Sequence, residues 1–295
     1  MNVGAELVDL ALRDGARGIA VVGTGKNVGK TVTTRALLEA LRGTCVGLTS
    51  IGRDGEAVDI GDALAKPRLR LQPGTIVATA RAVLPVSPAS EILETSDLMT
   101  AAGPLLYARV RVATYYELLG APTASGVRAS LEQMRALGAD VTLLDGAVDR
   151  VAALAGGDDA IVVATGAATA ASVEDAVEEA RALVVRLTLP KVDEREPALR
   201  LGGALTATMV ADLVASGEKR QIVVRDPTQI ALSGKAFDGA MRRLTLRCER
   251  PLRVVAVTAA SIGRDRYFEP GAFARAVALA TGLPTFDVYA GARAA

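Results

Sequence analysis

Short apolar runs alternate with amphipathic stretches along the whole chain. Gly18-Ile19-Ala20-Val21-Val22 is the first run, Thr44 to Thr49 the second, Val141-Thr142-Leu143-Leu144 the third and Ala160 to Thr165 the fourth. Runs with little polar alternation fit strands buried on both faces, as in parallel sheets covered by helices. Helical periods lie between them. Residues 4–16 carry Leu7, Val8, Leu10, Ala11 and Leu12 on an apolar side, and Val32, Ala36, Leu37, Ala40 and Leu41 mark one face of a helix ending near Gly43. A helix over about 127–137 turns Leu131 and Met134 inward. Another is opened by Ser172, with Asp175 three residues on, and has Val173, Ala176, Val177, Ala180 and Val184 on its inner face.

The alternation continues beyond residue 194. Leu199 to Leu205 reads as a strand, Thr206 to Ser216 as a helix stopped at Gly217, and Gln221 to Arg225 as a strand. A short helix around Phe237 to Arg243, a strand from Arg253 to Thr258, a helix marked by Phe273, Ala276, Val277 and Ala280, and a strand from Phe286 to Tyr289 complete the chain. Strand–helix alternation of this kind predicts an α/β fold, with a predominantly parallel sheet flanked by helices. A chain of 295 residues has room for one large α/β domain or two small ones. The pattern is read as one domain over 1–295.

Residues 57–139 are long for a single crossover. Inside them Arg68-Leu69-Arg70-Leu71 and Leu105 to Ala113 alternate, Thr75 to Ala80 is strand-like, and Pro85, Pro88, Pro104 and Pro122 break the pattern. The stretch reads as an insertion carrying substrate or partner specificity. Arg68, Arg70, Arg109 and Arg111 can line an anionic site, although a solvated strand face is the plainer reading.

Chemistry enters at Gly23-Thr24-Gly25-Lys26-Asn27-Val28-Gly29-Lys30-Thr31, which matches the phosphate-loop pattern G-x-x-x-x-G-K-[ST]. A strand precedes it and a helix follows, which is the context the motif needs. Glycines allow the sharp turn, successive N–H groups then face an anion at a helix N-terminus, Lys30 can reach β/γ-phosphates and the Thr31 hydroxyl can ligate Mg²⁺. Two carboxylates join this site. Asp145 ends the apolar strand 141–145, as the acidic residue of a Walker B strand does, and can reach the same Mg²⁺. Asp54, in Ser50-Ile51-Gly52-Arg53-Asp54-Gly55-Glu56, follows the second strand and can hold the ion or order a water, while Arg53 can meet phosphate. The catalytic candidates are therefore Lys30, Asp54 and Asp145, and the metal candidates Thr31, Asp54 and Asp145. Arg150 can stabilise charge on a γ-phosphate or simply pair with Asp149.

Composition narrows the classes. The 34 Lys+Arg against 33 Asp+Glu leave a net charge of +1, so bulk charge points to neither nucleic acid nor a membrane surface. With no histidine, Ser-His-Asp catalysis and His-ligated zinc are excluded. Cys45 and Cys248 are too few for a disulfide framework, and Cys45, in a predicted strand, reads as a buried inert thiol. Glu6, Asp9, Arg13 and Asp14 interrupt any leader-like apolar run, and the longest uncharged run, Ala160 to Val173, is too short to span a bilayer. A cytoplasmic location is expected. Pro190-Lys191-Val192-Asp193 ends like the guanine-reading N-K-x-D loop but has Pro in place of Asn, which weakens a GTPase reading. Ser50-Ile51-Gly52-Arg53-Asp54 recurs as Ser261-Ile262-Gly263-Arg264-Asp265, and both copies follow predicted strands.

The loop register resembles the dethiobiotin-synthetase and cobyrinate-synthase branch of SIMIBI-like P-loop NTPases; the signature Lys of the deviant-loop ATPases would fall at Gly25. Taken with Thr49 to Glu56, Gly74-Thr75-Ile76-Val77-Ala78-Thr79 and Asp145-Gly146-Ala147-Val148-Asp149-Arg150, the loop resembles one family in combination. That family is the nucleotide-binding reactivase subunit found with adenosylcobalamin-dependent lysine and ornithine aminomutases. The likeness covers most of the first 170 residues and is looser afterwards. It implies a chaperone-like, Mg²⁺-dependent ATPase that helps a stalled B12 enzyme exchange inactivated cobalamin. ATP is the expected nucleotide, with GTP admitted. The implied partners are the aminomutase and a second reactivase subunit, and a homodimer is admitted as well. A ligase or kinase like dethiobiotin synthetase, acting on a small carboxylate or amine, is the alternative; that family's second strand ends in a Lys-Pro turn, where this chain has Ser50-Ile51-Gly52-Arg53. A regulatory GTPase is the third.

Overall fold

The computed structural model describes residues 2–51, 68–85, 87–147, 159–232, 234–263, 265–290 and 292–293. The fold is α/β, and its residues divide into two compact units. The N-terminal unit comprises Asn2–Val22 and Lys30–Ala153; the C-terminal unit comprises Gly23–Gly29 and Leu154–Ala295.

In the N-terminal unit, helix α1 (Val3–Leu12) is capped by Asn2, whose side chain accepts from the Ala5 N–H. Strand β1 (Gly18–Gly23) leads to helix α2 (Lys30–Ala40), and strand β2 (Val46–Ser50) follows. Next come β3 (Leu69–Leu71), β4 (Ile76–Ala80), β5 (Ser90–Thr100), β6 (Gly103–Val110) and β7 (Thr114–Tyr116). Helix α3 (Ala124–Ala136), with Thr123 as N-cap, and strand β8 (Val141–Ala147) close the unit. Its sheet runs β1-β8-β2-β4-β6-β5. The first four strands are parallel, and β6 and β5 turn antiparallel. The apolar runs are buried as their pattern requires: Ile19 to Val22, Leu48, Ile76 to Ala78 and Leu143 to Leu144 are all at or below 2% exposure. Helices α2 and α3 pack on this sheet, and α1 packs on α2.

Residues expected in the 57–139 insertion, where described, supply sheet strands β4, β6 and β5, and β3 pairs separately with β7. The carboxyl end of β2 is fixed by this stretch. The Ser50 hydroxyl donates to the Leu118 carbonyl at 3.0 Å and accepts from the Gly120 N–H at 3.3 Å. A Cβ on Gly120 would collide with the Ser50 carbonyl oxygen, so only glycine lets the two backbones meet. The inner face of α2 agrees with expectation in part. Leu37 and Leu41 are buried as expected and Thr33 and Thr34 are buried beside them, whereas Val32, Ala36 and Ala40 are half-buried, because the helix is rotated to turn its threonines toward the sheet.

In the C-terminal unit, β9 (Ala160–Gly166) is followed by α4 (Val173–Leu187), capped by Ser172 accepting from the Asp175 N–H at 3.1 Å. Then come β10 (Ala198–Arg200), α5 (Ala207–Ala215), β11 (Gln221–Val224), α6 (Gly234–Arg243) and β12 (Leu246–Cys248). Strand β13 (Arg253–Ala260), α7 (Pro270–Thr281), β14 (Thr285–Asp287) and β15 (Ala292–Arg293) end the chain. Strands β9, β13 and β14 are parallel neighbours, with β15 antiparallel at the edge, and α4 and α7 pack on them. A second, three-stranded parallel sheet, β10-β11-β12, has its own core of Leu189, Leu205, Ile222, Val224, Phe237 and Leu246.

Among the described residues no helix is long and apolar enough to cross a membrane. Cys45 lies just ahead of β2 and is half-buried, with burial raising its thiol pKa; Cys248 is fully buried, and burial pushes its thiol up to about 11. Cys45, expected as a buried thiol within a strand, is therefore half-buried and lies outside it.

Candidate functional site

The glycine-rich motif falls in two parts, because residues 23–29 belong to the C-terminal unit and the chain from Lys30 to the N-terminal unit. In the first part, the Thr24 N–H donates to the Ala164 carbonyl near the end of β9, at 2.9 Å. Val28 is buried, while Lys26 and Asn27 are exposed. Asn27 takes φ +59°, the one positive φ outside glycine among the described residues, and Gly29 takes φ +92°. A Cβ on Gly29 would stand 2.8 Å from the Ala260 Cβ at the end of β13, and one on Gly25 would stand 3.1 Å from Thr169 Cγ2. The loop therefore has the close approaches that its glycines suggested. Gly29→Ala combines a left-handed backbone with that collision, and we expect it to cost about 1–3 kcal/mol, read as a lower urea midpoint.

The second part is built on α2 and β8. Asp145 pairs in register with Val21 of β1 on one side and with Ser50, the last residue of β2, on the other. It therefore stands at the carboxyl end of a strand held between two parallel neighbours. Gly146 follows at φ +98°, and the β1–β8 register shifts at this level, between Val21 and Val22. The Thr34 hydroxyl, on the buried side of α2, donates to Asp145 Oδ1 at 2.7 Å. Burial raises the Asp145 pKa, and the Thr34 hydrogen bond and the positive charge of Lys30 act against that rise. The carboxylate is thus held where its negative charge is penalised by desolvation and only partly offset.

Of the predicted residues, Lys30, Thr31 and Asp145 all belong to this part, with Lys30 and Thr31 in the first turn of α2. Asp54 and its neighbours Gly52, Arg53, Gly55 and Glu56 lie outside the described residues, as do Asp149 and Arg150. Thr34 was not among the candidates. A threonine four residues after the motif lysine, on the buried side of its helix, is the signal that would have pointed to it. The two S-I-G-R-D copies begin alike, Ser50 as the last residue of β2 and Ser261 directly after β13, each at the carboxyl end of a parallel strand. Asp193, of the K-x-D ending, accepts from the Arg195 N–H at 3.0 Å as an ordinary turn residue.

The remaining arginines of the alternating strands are divided rather than gathered. Arg111 pairs with Glu91 at 3.2 Å, Arg109 donates to the Leu137 carbonyl at 3.5 Å, and Arg68 and Arg70 are exposed.

Among the described residues no cluster of three or more His, Cys, Asp or Glu side chains is poised to hold a metal on its own. Mg²⁺ does not require one, since it is commonly held by one or two carboxylates together with substrate phosphates and waters. The hydroxyl and carboxylate donors of Thr31 and Asp145 suit that ion, and a cation beside Asp145 would relieve the penalty on its buried charge. No family model, curated protein or solved structure matches the chain.

Proposed function

We propose that this protein is a Mg²⁺-dependent ATPase that acts as a reactivating factor for an adenosylcobalamin-dependent aminomutase. The observation that carries the ATPase reading is the pairing of the motif helix with a half-buried carboxylate: Lys30 opens α2, and Thr34 of the same helix donates to Asp145 at the end of the adjacent strand. The combination of motifs over the first 170 residues supports the reactivase reading.

In this reading the N–H groups of residues 23–29 and the Lys30 ammonium bind the polyphosphate and stabilise charge that builds up as the γ-phosphoryl group is transferred. Thr31 and Asp145 would hold Mg²⁺, with Asp54 as the expected further ligand, and the ion would supply charge neutralisation at the phosphates. Water is the acceptor, ordered by Asp54 or Asp145. Phosphoryl transfer asks mainly for positioning and charge stabilisation, so a histidine-free chain is no obstacle to it. Hydrolysis then drives a conformational cycle in the partner.

The test is steady-state phosphate release from ATP and from GTP with Mg²⁺. The protein is assayed alone, with a panel of small carboxylates and amines, and with a B12-dependent aminomutase plus cobalamin. Stimulation by the aminomutase alone is the expected result. Stimulation by a small molecule, with a phosphorylated or ligated product, would replace this reading with a synthetase.

A further inference from the structure

At the far end of α2 from Lys30, the N-terminal unit has a cleft of about 270 Å³ between the helix, the start of β2 and strand β3. Its lining on the helix begins at Arg35, five residues or about 7.5 Å along the axis from Lys30, and continues past the helix end. Three guanidinium groups line this cleft: Arg35 from α2, Arg42 just beyond its end and Arg70 from β3. Arg42 is paired with Glu39 at 2.6 Å. Among the described residues, Arg35 and Arg70 make no ion pair or side-chain hydrogen bond. Leu38, Leu71 and Pro73 supply apolar wall.

Three positive charges against the one carboxylate of Glu39 leave a net charge of two facing a single small cleft. Arg42 near the negative end of α2 has an ordinary role there. Arg70 does not: it comes from a different element, between buried Leu69 and Leu71, and lines the same cleft as Arg35 of the helix and Arg42 just past its end. Like charges brought together from separate elements raise the energy of the empty cleft and lower that of an anion within it. Guanidinium groups also match the geometry of phosphate and carboxylate oxygens.

We infer that this cleft binds a small phosphate monoester with an apolar body. A monoester carries about 1.5 to 2 negative charges near neutral pH, which matches the local excess, whereas a monocarboxylate carries one. The volume lies just below the roughly 300–1,000 Å³ of drug-sized pockets, which suits a small ligand. The apolar walls receive its body. The site is separate from the glycine-rich motif and does not depend on what that motif binds.

Phenyl phosphate is the probe, titrated by calorimetry into the Lys30→Ala protein so that the motif lysine contributes nothing. Binding is expected, and Arg35→Ala or Arg70→Ala in that background should weaken it about tenfold or more. Phenylacetate, with a similar body and a single charge, should bind about tenfold more weakly than phenyl phosphate. Both arginines are exposed, so unchanged melting of the variants shows that the fold is intact. Absence of binding to the Lys30→Ala protein, or an affinity untouched by both arginine substitutions, overturns the assignment. Equal affinity for phenylacetate overturns the doubly charged head group.

Discussion

Lys30→Ala is expected to leave a folded protein that releases phosphate from ATP about a hundredfold to a thousandfold more slowly than wild type. Lys30 begins α2, is partly exposed, and is the positive charge that acts on Asp145. Its helix is anchored by Thr33, Thr34 and Leu37, which are buried on the same face, so the fold keeps its packing when the half-buried lysine side chain is removed. What is lost is charge stabilisation at the phosphoryl group as it leaves, and that loss falls on kcat as well as on binding. Far-UV circular dichroism should be unchanged, and the loss should be seen in kcat/KM measured from steady-state phosphate release. Wild-type turnover in this variant would remove the motif from the chemistry altogether.

Much of the architecture could be read from the pattern of apolar positions. The buried strands β1, β4, β8 and β9 are runs such as Ile19 to Val22 and Ala160 to Ala164, in which nothing polar competes with two-sided burial. Helix boundaries followed cap chemistry, with Ser172 opening α4 and Thr206 opening α5 through their side-chain oxygens. Strand β5 was not visible. Its sequence, Ser-Glu-Ile-Leu-Glu-Thr-Ser-Asp-Leu-Met-Thr, shows no clean period of two, because its pairing with β6 slips between Ile92 and Glu94 and again between Thr95 and Met99. Each irregularity reverses which side chains face inward, and the alternation that marks a half-buried strand is erased. As a polar edge strand it also lacks the unbroken apolar run that revealed its neighbours.

The candidate site was legible where a motif fixes spacing, and less so where tertiary packing decides. Lys30, Thr31 and Asp145 follow from a loop, a helix start and an apolar strand ending in Asp. The exact orientation of α2 does not follow from its sequence: the apolar stripe Val32, Ala36, Leu37, Ala40 and Leu41 placed Leu37 and Leu41 inward, but Thr33 and Thr34 are buried where Val32, Ala36 and Ala40 were expected. The threonine side won because it brings a hydroxyl to Asp145, and a half-buried, desolvated carboxylate without a donor costs more than a buried methyl group contributes. The second sheet, β10-β11-β12, was visible as separate strands and helices but not as a separate core. Short-range periodicity says which residues are buried and not which of them are buried together.

The second large effect concerns Asp145, and it separates stability from turnover. Asp145→Asn keeps the side-chain shape and an oxygen to accept from Thr34, while removing a negative charge that burial penalises. The nucleotide-free variant should therefore melt above wild type, at about 2–4 °C per kcal/mol gained for a domain of this size. The pH dependence has a definite sign. A carboxyl whose folded pKa is raised holds more protons folded than unfolded between its ordinary value and the raised one. Its contribution to stability is therefore fully present at low pH and is lost as pH rises through that window. This decline should be present in wild type and absent from the Asn variant. Turnover should go the other way, with Mg²⁺-dependent phosphate release falling about a hundredfold or more, because a neutral amide neither attracts the ion nor offsets its charge. Melting curves with and without Mg²⁺ and ADP complete the comparison. Wild type should gain stability from the pair, and Asp145→Asn should gain little despite its higher starting point. A variant that is less stable than wild type at neutral pH, or that keeps its Mg²⁺-dependent turnover, would show that the Asp145 carboxylate serves the fold rather than the ion.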